Sequence, residues 1–322
     1  MSHASLPNFT TKKARLKDRA HMLKTVRSFF HEKGIIEVDC PCLSPFASVD
    51  THIDLIPALY QSNQKVFLHT SPEYGMKRLL AEGMGDIYQL SHVFRDGEWS
   101  SKHNPEFTMA EWYRLGFTFE QMIDETVQFI QLFLNAIPFR VVTYRNLFLE
   151  KTGIDYVSAS ENDLFDYIHS QSLSYYPSIK EEGKDGLLNL ILGSAIEPHL
   201  GFDELCIIAH YPASQAALAK KQTINGEEVA ERFEIYYRGV ELSNGYHELA
   251  DSEEQKERLM EANATRIALG KNSLPIDENF LNALRKGLPA CCGVAVGFDR
   301  LMMLRQNQTE ISKVLSWCWQ EA

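Results

Sequence analysis

The sequence predicts an α+β fold in which an antiparallel sheet is flanked by helices. Strand-like runs follow one another as hairpins, and helical runs are set between those hairpins. A doubly wound sheet would instead alternate single strands with helices. No internal repeat and no Pro/Gly/Ser-rich linker marks a boundary, so we expect one domain over residues 1–322.

The first elements are a helix and a strand. Apolar residues recur at helical spacing over residues 13–33, and Gly34 ends the helix. Residues 35–38 are typical of a strand, which Pro41 closes.

A long hairpin is predicted next. Its arms are residues 87–94 and 107–112, and a polar loop of functional length over residues 96–105 joins them. A shorter strand-like run at residues 66–69 precedes it. Residues 119–134 follow as a helix.

The second half of the chain predicts another hairpin, a helix, and a strand that leads into a last helix. The hairpin covers residues 233–242 and the helix covers residues 252–269. The strand covers residues 293–297 and the last helix covers residues 298–304. Residues 158–204 are mixed in character and predict no particular elements.

Charge and cysteine content exclude several classes of protein. Lys and Arg number 32 against 43 Asp and Glu, and the net charge of −11 argues against a non-specific nucleic-acid-binding surface. The first thirty residues lack the apolar core of a signal peptide, and no apolar run is long enough to cross a membrane. Six cysteines without a C-x-x-C pair indicate reduced thiols. We therefore expect a cytoplasmic protein that does not enter a membrane.

The hairpin over residues 233–242 carries two carboxylates. An even-length turn would place Tyr236 opposite Glu241. It would also place Glu234 opposite Ser243 and diagonal to Glu241, roughly 7–8 Å away. Such a pair can hold Mg²⁺ when phosphates supply the remaining ligands. Two solvated glutamates on an edge strand would give the same pattern.

The long hairpin carries a cation, a ring and a carboxylate. If Arg95 pairs near Phe107, then Arg95, Phe107 and Glu111 share one face of the sheet. Arginine grips phosphate through its planar fork, and phenylalanine offers a flat face to a purine. The alternative is a surface salt bridge between Arg95 and Glu111 over a core phenylalanine.

Residues 293–300 contain a glycine at every fourth position of the strand, Gly293 and Gly297. Glycine lets a ligand approach a strand closely, and Arg300 in the first helical turn points back over that strand. The spacing differs from the dinucleotide fingerprint G-x-G-x-x-G. Tight packing of strand against helix is the alternative.

In order and spacing, these segments resemble the three signature motifs of class II aminoacyl-tRNA synthetases. Motif 1 corresponds to the helix ending at Gly34 with residues 35–41, motif 2 to residues 94–107, and motif 3 to residues 293–300. Further matches narrow the resemblance to the lysyl-tRNA synthetase catalytic core. These are Ser71-Pro72-Glu73 and residues 103–109, 241–248 and 297–300.

The resemblance covers nearly the whole chain and implies a class II catalytic core. Those synthetases carry an anticodon-binding barrel before motif 1, whereas motif 1 here begins almost at the first residue. We expect no such barrel and no anticodon recognition. Class II cores generally dimerise through motif 1, which implies a homodimer.

The resemblance also implies roles for individual residues. The ATP-binding residues would be Arg95, Asp96, Gly97, Glu98, His103, Asn104, Phe107, Glu241, Leu242, Gly297 and Arg300. The amino acid substrate would contact Ser71, Pro72, Glu73, Tyr113, Asn244, Glu248 and Ala295. Arg95 and Arg300 would be catalytic, and Glu234 and Glu241 would hold Mg²⁺.

Residues 211–215 and 111–114 make the chain similar to stand-alone members of this family that modify translation elongation factor P. This implies activation of (R)-β-lysine by ATP as an adenylate, followed by transfer to a lysine ε-amine of elongation factor P. The alternatives are a truncated lysyl-tRNA synthetase that activates α-lysine and a non-catalytic regulatory paralogue.

Two positions depart from the synthetase pattern. Motif 2 usually reads Arg-x-Glu, but here Gly97 occupies the glutamate position and Glu98 follows it. In motif 3 the third-position glycine is Ala295. An added methyl group there would reshape the floor of the amino acid pocket, which favours a substrate other than α-lysine.

Overall fold

The computed structural model describes residues 9–322, and this range contains both helices and strands. The helices are α1 (Lys12–Glu32), α2 (Glu73–Ala81), α3 (Phe119–Leu134), α4 (Tyr144–Thr152), α5 (Glu161–Ser170), α6 (Gly183–Ile191), α7 (Ser252–Ala268), α8 (Glu278–Gly287) and α9 (Phe298–Arg305). The strands are β1 (Ile36–Glu37), β2 (Leu43–Ser44), β3 (Pro57–Tyr60), β4 (Gln64–Leu68), β5 (Ile87–Phe94), β6 (Glu106–Leu115), β7 (Phe139–Thr143), β8 (Leu205–Pro212), β9 (Lys221–Ile224), β10 (Glu227–Tyr237), β11 (Val240–His247) and β12 (Cys291–Gly297).

The contacts divide the chain into two compact units. The first unit holds the chain up to Ile137 together with Ala250–Ser252 and Leu274–Ala322. The second unit holds Pro138–Leu249 and Glu253–Ser273. The two regions 87–112 and 293–300, which the sequence singles out, therefore belong to the first unit, and the hairpin of β10 and β11 belongs to the second.

In the first unit, four strands pair in the order β1-β5-β6-β12. The β5–β6 and β6–β12 pairs are antiparallel, whereas β1 lies parallel to β5. The parallel pair departs from the predicted antiparallel arrangement, because residues 38–86 form a long crossover before the chain enters β5. That crossover contains a small sheet, β2-β4-β3, and helix α2.

One face of β5, β6 and β12 is covered by helices and forms an aromatic core. The Phe30 ring of α1 stacks on Tyr88 of β5 with centroids 4.1 Å apart. Trp112 of β6 lies 5.0 Å from the Phe129 ring of α3 and is fully buried. Because side chains alternate along a strand, the residues between these rings point to the opposite face.

The second unit is built on the strand order β11-β10-β8-β7, with β9 beside β10. All of these pairs are antiparallel except β7–β8, which is parallel. Its core packs Tyr144 of α4, Leu164 of α5 and Ile191 of α6 against Ile208 and Tyr211 of β8. This core includes much of residues 158–204, for which the sequence predicted no particular elements.

The structure confirms the α+β prediction and most of the predicted elements. Helix α3 has the predicted bounds, since Thr118 and Gln121 form a capping box at its start. Helix α1 lies one residue N-terminal of its predicted range and ends before Gly34, which has φ +71°. Within residues 9–322 the sheets are open, and none closes into a barrel.

Candidate active site

The face of β5, β6 and β12 opposite the aromatic core carries the polar residues that the sequence singled out. Val93 pairs with Phe107 and Gln89 pairs with Glu111 across β5 and β6. The Arg95 N–H extends this register by donating to the Pro105 carbonyl at 2.9 Å. Arg95, Phe107 and Glu111 therefore lie on one face, as predicted.

The β12 strand supplies small residues to the same face. Gly293 lies opposite Tyr113, Ala295 opposite Glu111, and Gly297 opposite Met109. Glycine and alanine leave space above the strand for a ligand. The methyl group of Ala295 is the largest of these side chains and lies beside Glu111.

Arg95 is placed to bind an anion. Its guanidinium carbon lies 5.1 Å from the centre of the Phe107 ring, and its Nη1 is 3.6 Å from Glu98 Oε1. Its buried Nε has no hydrogen-bond partner among residues 9–322. A buried N–H without a partner is costly, so this donor is available to a ligand oxygen. The alternative pairing of Arg95 with Glu111 is wrong, because Arg95 pairs with Glu98.

His103 and Arg300 form a second polar pair. Arg300 Nη2 donates to His103 Nε2 at 2.7 Å. A guanidinium can only donate, so Nε2 is the acceptor and Nδ1 carries the proton, 2.8 Å from Ser100 Oγ. Burial, and then the Arg300 cation, lower the pKa of His103. The imidazole is therefore neutral and holds the guanidinium in place.

The remaining motif 2 residues shape the loop between β5 and β6. Asp96 N donates to the Asp54 carbonyl at 2.8 Å. Gly97 has φ +74°, a conformation that a glutamate at this position would adopt only with strain. The carboxylate next in sequence, Glu98, pairs with Arg95. Asn104 is buried, and both ends of its amide bond to protein atoms.

A carboxylate pocket lies farther along the same face, around Glu111. Ser71 Oγ donates to Glu111 Oε2 at 2.7 Å, and the Tyr113 hydroxyl donates to Glu111 Oε1 at 2.8 Å. Glu73 begins α2 immediately after Pro72, and its N–H donates to Ser71 Oγ at 3.0 Å. Three of the predicted substrate-binding residues therefore meet around Glu111.

Glu111 was not among the predicted pocket residues, although it shares a face with Tyr113 two positions away. Burial, and then the Glu73 charge, raise the pKa of Glu111 to about 7. Lys77 Nζ lies 2.7 Å from Glu73 Oε1 and is completely buried. The pocket thus pairs one carboxylate with a lysine and leaves Glu111 with neutral hydroxyl donors, an arrangement suited to an incoming ammonium group.

In the second unit, a β-bulge changes the predicted register of β10 and β11. Tyr236 lies opposite Glu241 as predicted, but Glu234 lies opposite Asn244 instead of Ser243. The register shifts between Ile235 and Tyr236, which inserts one extra residue in β11. The bulge places Asn244 on the face that carries Glu234, Tyr236 and Glu241.

Three further predicted residues lie on or beside β11. Leu242 is buried in the bulge, and the buried Asn244 Oδ1 has no hydrogen-bond partner within the described chain. Glu248 is buried directly after the strand, and its backbone forms an isolated antiparallel β-bridge with Ala219. The segment 241–248 thus presents one amide oxygen that is available to a ligand.

Both carboxylate oxygens of Glu234 are bonded to other side chains of the protein. Its Oε2 accepts hydrogen bonds from the hydroxyls of Tyr211 and Tyr236, each at 2.5 Å. Its Oε1 lies 2.6 Å from Nη2 of Arg232. Burial, and then the Glu234 charge, raise the pKa of both tyrosines, which keeps both hydroxyls protonated as donors.

These contacts do not fit Glu234 as a ligand of Mg²⁺. A hard cation would have to displace the Arg232 guanidinium and two hydroxyl donors to reach the carboxylate. In the described part of the chain, no group of three or more His, Cys, Asp or Glu side chains is arranged to hold a metal ion. The structure instead gives Glu234 a role in holding β10 and β8 together.

The fold and the two groups of site residues define a class II aminoacyl-tRNA synthetase core, and comparison with known proteins supports this. Residues 3–320 match the family described as "tRNA synthetases class II (D, K and N)". The chain therefore belongs to the class II aminoacyl-tRNA synthetase family, as the three motifs predicted. No helix within residues 9–322 combines the length and apolar character needed to cross a bilayer.

Among its curated relatives, proteins named elongation factor P–(R)-beta-lysine ligase are similar over almost their whole length. The relative from Hamiltonella defensa is 41% identical over 305 residues, 93% of each chain. The relative from Salmonella gallinarum is 40% identical over 319 residues, 98% of this chain and 95% of the relative. The relative from Histophilus somni is 42% identical over 306 residues, 93% of each chain.

Proposed function

We propose that this protein uses ATP to activate (R)-β-lysine as an adenylate and transfers the β-lysyl group to a lysine ε-amine of elongation factor P. The observation that carries the proposal is the buried Glu111 pocket with Ala295 opposite, set in a class II core. The names of the relatives give the same substrate and acceptor. The protein is thus an ATP-dependent ligase.

In the first step, a carboxylate oxygen of (R)-β-lysine attacks the α-phosphorus of ATP, and pyrophosphate leaves. Arg95 neutralises charge on the α-phosphate through its planar fork. Arg300, held by the neutral His103, lies with Phe107 against the adenine and adds positive charge. Asp96, Gly97, Glu98 and Gly297 are the other residues of the first unit proposed to bind ATP, through the loop and strand backbones. In the second unit, Leu242 is proposed for the same role.

The amino acid is held by carboxylates and hydroxyls. Glu111 and Glu73 pair with ammonium groups, and Ser71, Pro72 and Tyr113 fix the pocket wall. In the second unit, Asn244 and Glu248 are the residues proposed for substrate binding. The methyl group of Ala295 narrows the floor beside Glu111.

In the second step, the acceptor ε-amine attacks the acyl carbonyl of the adenylate, an amide bond forms, and AMP leaves. The amine loses a proton in this step. No covalent enzyme intermediate is needed, so the protein contributes positioning and charge neutralisation. We further propose that Mg²⁺ accompanies ATP, with Glu241 as its contact, since the Glu234 carboxylate is fully engaged. Mg²⁺ supplies charge neutralisation to the phosphates when it is bound.

We also propose that motif 1 forms a homodimer. A groove of about 920 Å³ lies between α1 and β1 and is lined by Leu23, Arg27, Ile36 and Tyr88 among other residues. Ile36 is 46% exposed in this groove, and we propose that a second copy covers it. Within residues 9–322 the cysteines form no disulfide bond, which agrees with the proposed cytoplasmic location.

The experiment that tests this function is a modification assay. Purified protein is incubated with ATP, Mg²⁺, (R)-β-lysine and elongation factor P, and the intact mass of the factor is measured. We expect a mass increase of one lysyl residue that depends on ATP. Activation of (R)-β-lysine without any change in elongation factor P would assign a different acceptor. Activation of α-lysine in preference to (R)-β-lysine, with no change in the factor, would favour a truncated synthetase.

A further inference from the structure

The last part of the chain lies along the loop that joins β5 and β6, residues 95–105. Near the tip of this loop, Ile311 N donates to the Ser101 carbonyl at 2.7 Å. Where the loop rejoins β6, Trp319 N donates to Asn104 Oδ1 at 3.0 Å. Both contacts use backbone N–H groups, so they depend on the path of the C-terminal backbone rather than on its side chains.

The C-terminal segment, residues 311–319, is itself anchored. The side chains of Ile311, Val314 and Cys318 are buried. Arg15 of α1 donates from Nε to the Lys313 carbonyl at 2.8 Å. Because this segment is already ordered by its anchors, ligand binding to the loop carries no entropic cost of ordering it. The segment can therefore support the loop.

Asn104 connects this segment to the loop. Its Oδ1 accepts from Trp319, and its Nδ2 donates to the Glu106 carbonyl at 2.6 Å. The side chain is only 4% exposed. Both ends of the amide are therefore used inside the protein, and Asn104 acts on the loop itself.

The neighbours of Asn104 are the groups assigned to ATP. His103 precedes it in sequence, and that imidazole is bonded to Arg300 and Ser100. Pro105 follows it and accepts the N–H of Arg95. A shift of Asn104 would move both the imidazole and the backbone partner of Arg95.

We propose that residues 311–319 are a positioning element for the ATP-binding loop and act mainly through the Trp319 N–H and Asn104. This inference rests on the proposed function, because it takes the loop to bind ATP. Trp319 and Asn104 are positioning residues in this account. Their effect reaches the nucleotide through His103 and Arg95.

A matched pair of variants tests the contact. Trp319→Pro removes the N–H donor, whereas Trp319→Ala keeps it and changes only a side chain that is 66% exposed. In amino-acid-dependent pyrophosphate exchange, we expect Trp319→Pro to raise the KM for ATP roughly two- to tenfold, the effect of one lost hydrogen bond. The KM for (R)-β-lysine should stay unchanged, and Trp319→Ala should behave like the parent protein.

A double-mutant cycle identifies the partner. Asn104→Ala should raise the KM for ATP, and the double variant Asn104→Ala/Trp319→Pro should be no worse than Asn104→Ala alone. Additive effects would overturn the proposal. The same KM for ATP in Trp319→Pro and Trp319→Ala would also overturn it. A rise in the KM for both ATP and (R)-β-lysine together with a lower Tm would indicate general destabilisation and would overturn it as well.

ATP binding separates this inference from the proposed function. If the parent protein showed no exchange with any amino acid, the proposed function would fail. The Kd for ATP of the same variants, measured by calorimetry, would then decide the positioning role. Weaker ATP binding by Trp319→Pro but not by Trp319→Ala would support it, and equal binding would contradict it.

Discussion

Ala295 lies directly opposite Glu111 in the antiparallel pairing of β12 with β6, on the face that also carries Tyr113. Directly opposite side chains in such a pair have Cβ atoms about 5 Å apart. The methyl group therefore borders the carboxylate that we propose as the partner of the amino acid's ammonium group. We therefore expect this one carbon atom in motif 3 to influence which isomer of lysine fits.

Ala295→Gly should shift the amino acid preference toward α-lysine. We expect the ratio of kcat/KM for (R)-β-lysine over α-lysine to fall by about tenfold, the usual discrimination of a pocket by one methyl group. Pyrophosphate exchange with each amino acid measures the ratio. Ala110→Gly, on the opposite face of β6, is the matched control, and an unchanged ratio in Ala295→Gly would remove the proposed role of the methyl group.

Glu111→Gln should weaken amino acid binding without affecting ATP. The loss of a charge-assisted hydrogen bond to an ammonium group should raise the KM for (R)-β-lysine by about 10- to 150-fold. Glu106→Gln is the control, because Glu106 lies on the same strand with its side chain exposed and paired with His92. A similar KM in both variants would place the ammonium group elsewhere.

Amino acid binding should also depend on pH. The pKa of Glu111 is raised to about 7 by burial and by Glu73, and only the ionised carboxylate pairs with an ammonium group. The affinity for (R)-β-lysine should therefore increase as pH rises through about 7. Calorimetry across this range should also detect proton release on binding, and Glu111→Gln should abolish both effects.

The same group makes a prediction for the ligand-free protein. Because the pKa of Glu111 is raised above its ordinary value of 4.5, the folded state holds a proton that the unfolded state loses. Glu111 should then make stability fall as pH rises from about 4.5 to 7. The difference in Tm between the parent protein and Glu111→Gln should follow this trend, and a constant difference would contradict it.

Arg95→Lys should reduce catalysis although it keeps the positive charge. An ammonium group cannot reproduce the planar fork, and we expect kcat to fall by about a hundredfold. Arg140→Lys is the control, since Arg140 is 41% exposed and pairs with Glu150. Equal activity of the two variants in pyrophosphate exchange would show that Arg95 does not contact the phosphate.

Glu234→Ala should affect stability. It would leave Arg232, whose side chain is 19% exposed, without its carboxylate, and loss of one partner of a largely buried pair costs about 3 kcal/mol. Urea unfolding measures this cost. Glu228→Ala, an exposed position on the same strand, should be nearly neutral, and a similarly small effect at Glu234 would contradict the proposed network.

Local sequence patterns were enough to predict much of the fold and much of the candidate site in the first unit. The capping residues of α3 and the glycine after α1 fix helix ends by local chemistry, so their bounds follow from the sequence. Side-chain alternation likewise places Arg95, Phe107 and Glu111 on one face. These features depend on residues a few positions apart or on one hairpin.

Features that depend on contacts between residues distant in sequence were not predicted from the sequence. The bulge that pairs Glu234 with Asn244 shifts the register by one residue, and the residues of the hairpin turn do not reveal it. The full set of partners of Glu234 includes Tyr211, more than twenty residues away. Ser71 and Glu111 meet only because the crossover after β1 returns α2 to the sheet.

The measurement that tests the central claim most directly is pyrophosphate exchange with ATP and Mg²⁺, comparing (R)-β-lysine with α-lysine. It tests amino acid activation without requiring the protein acceptor. We predict exchange that depends on the amino acid and strongly prefers (R)-β-lysine. Preference for α-lysine, or no exchange with either amino acid, would contradict it.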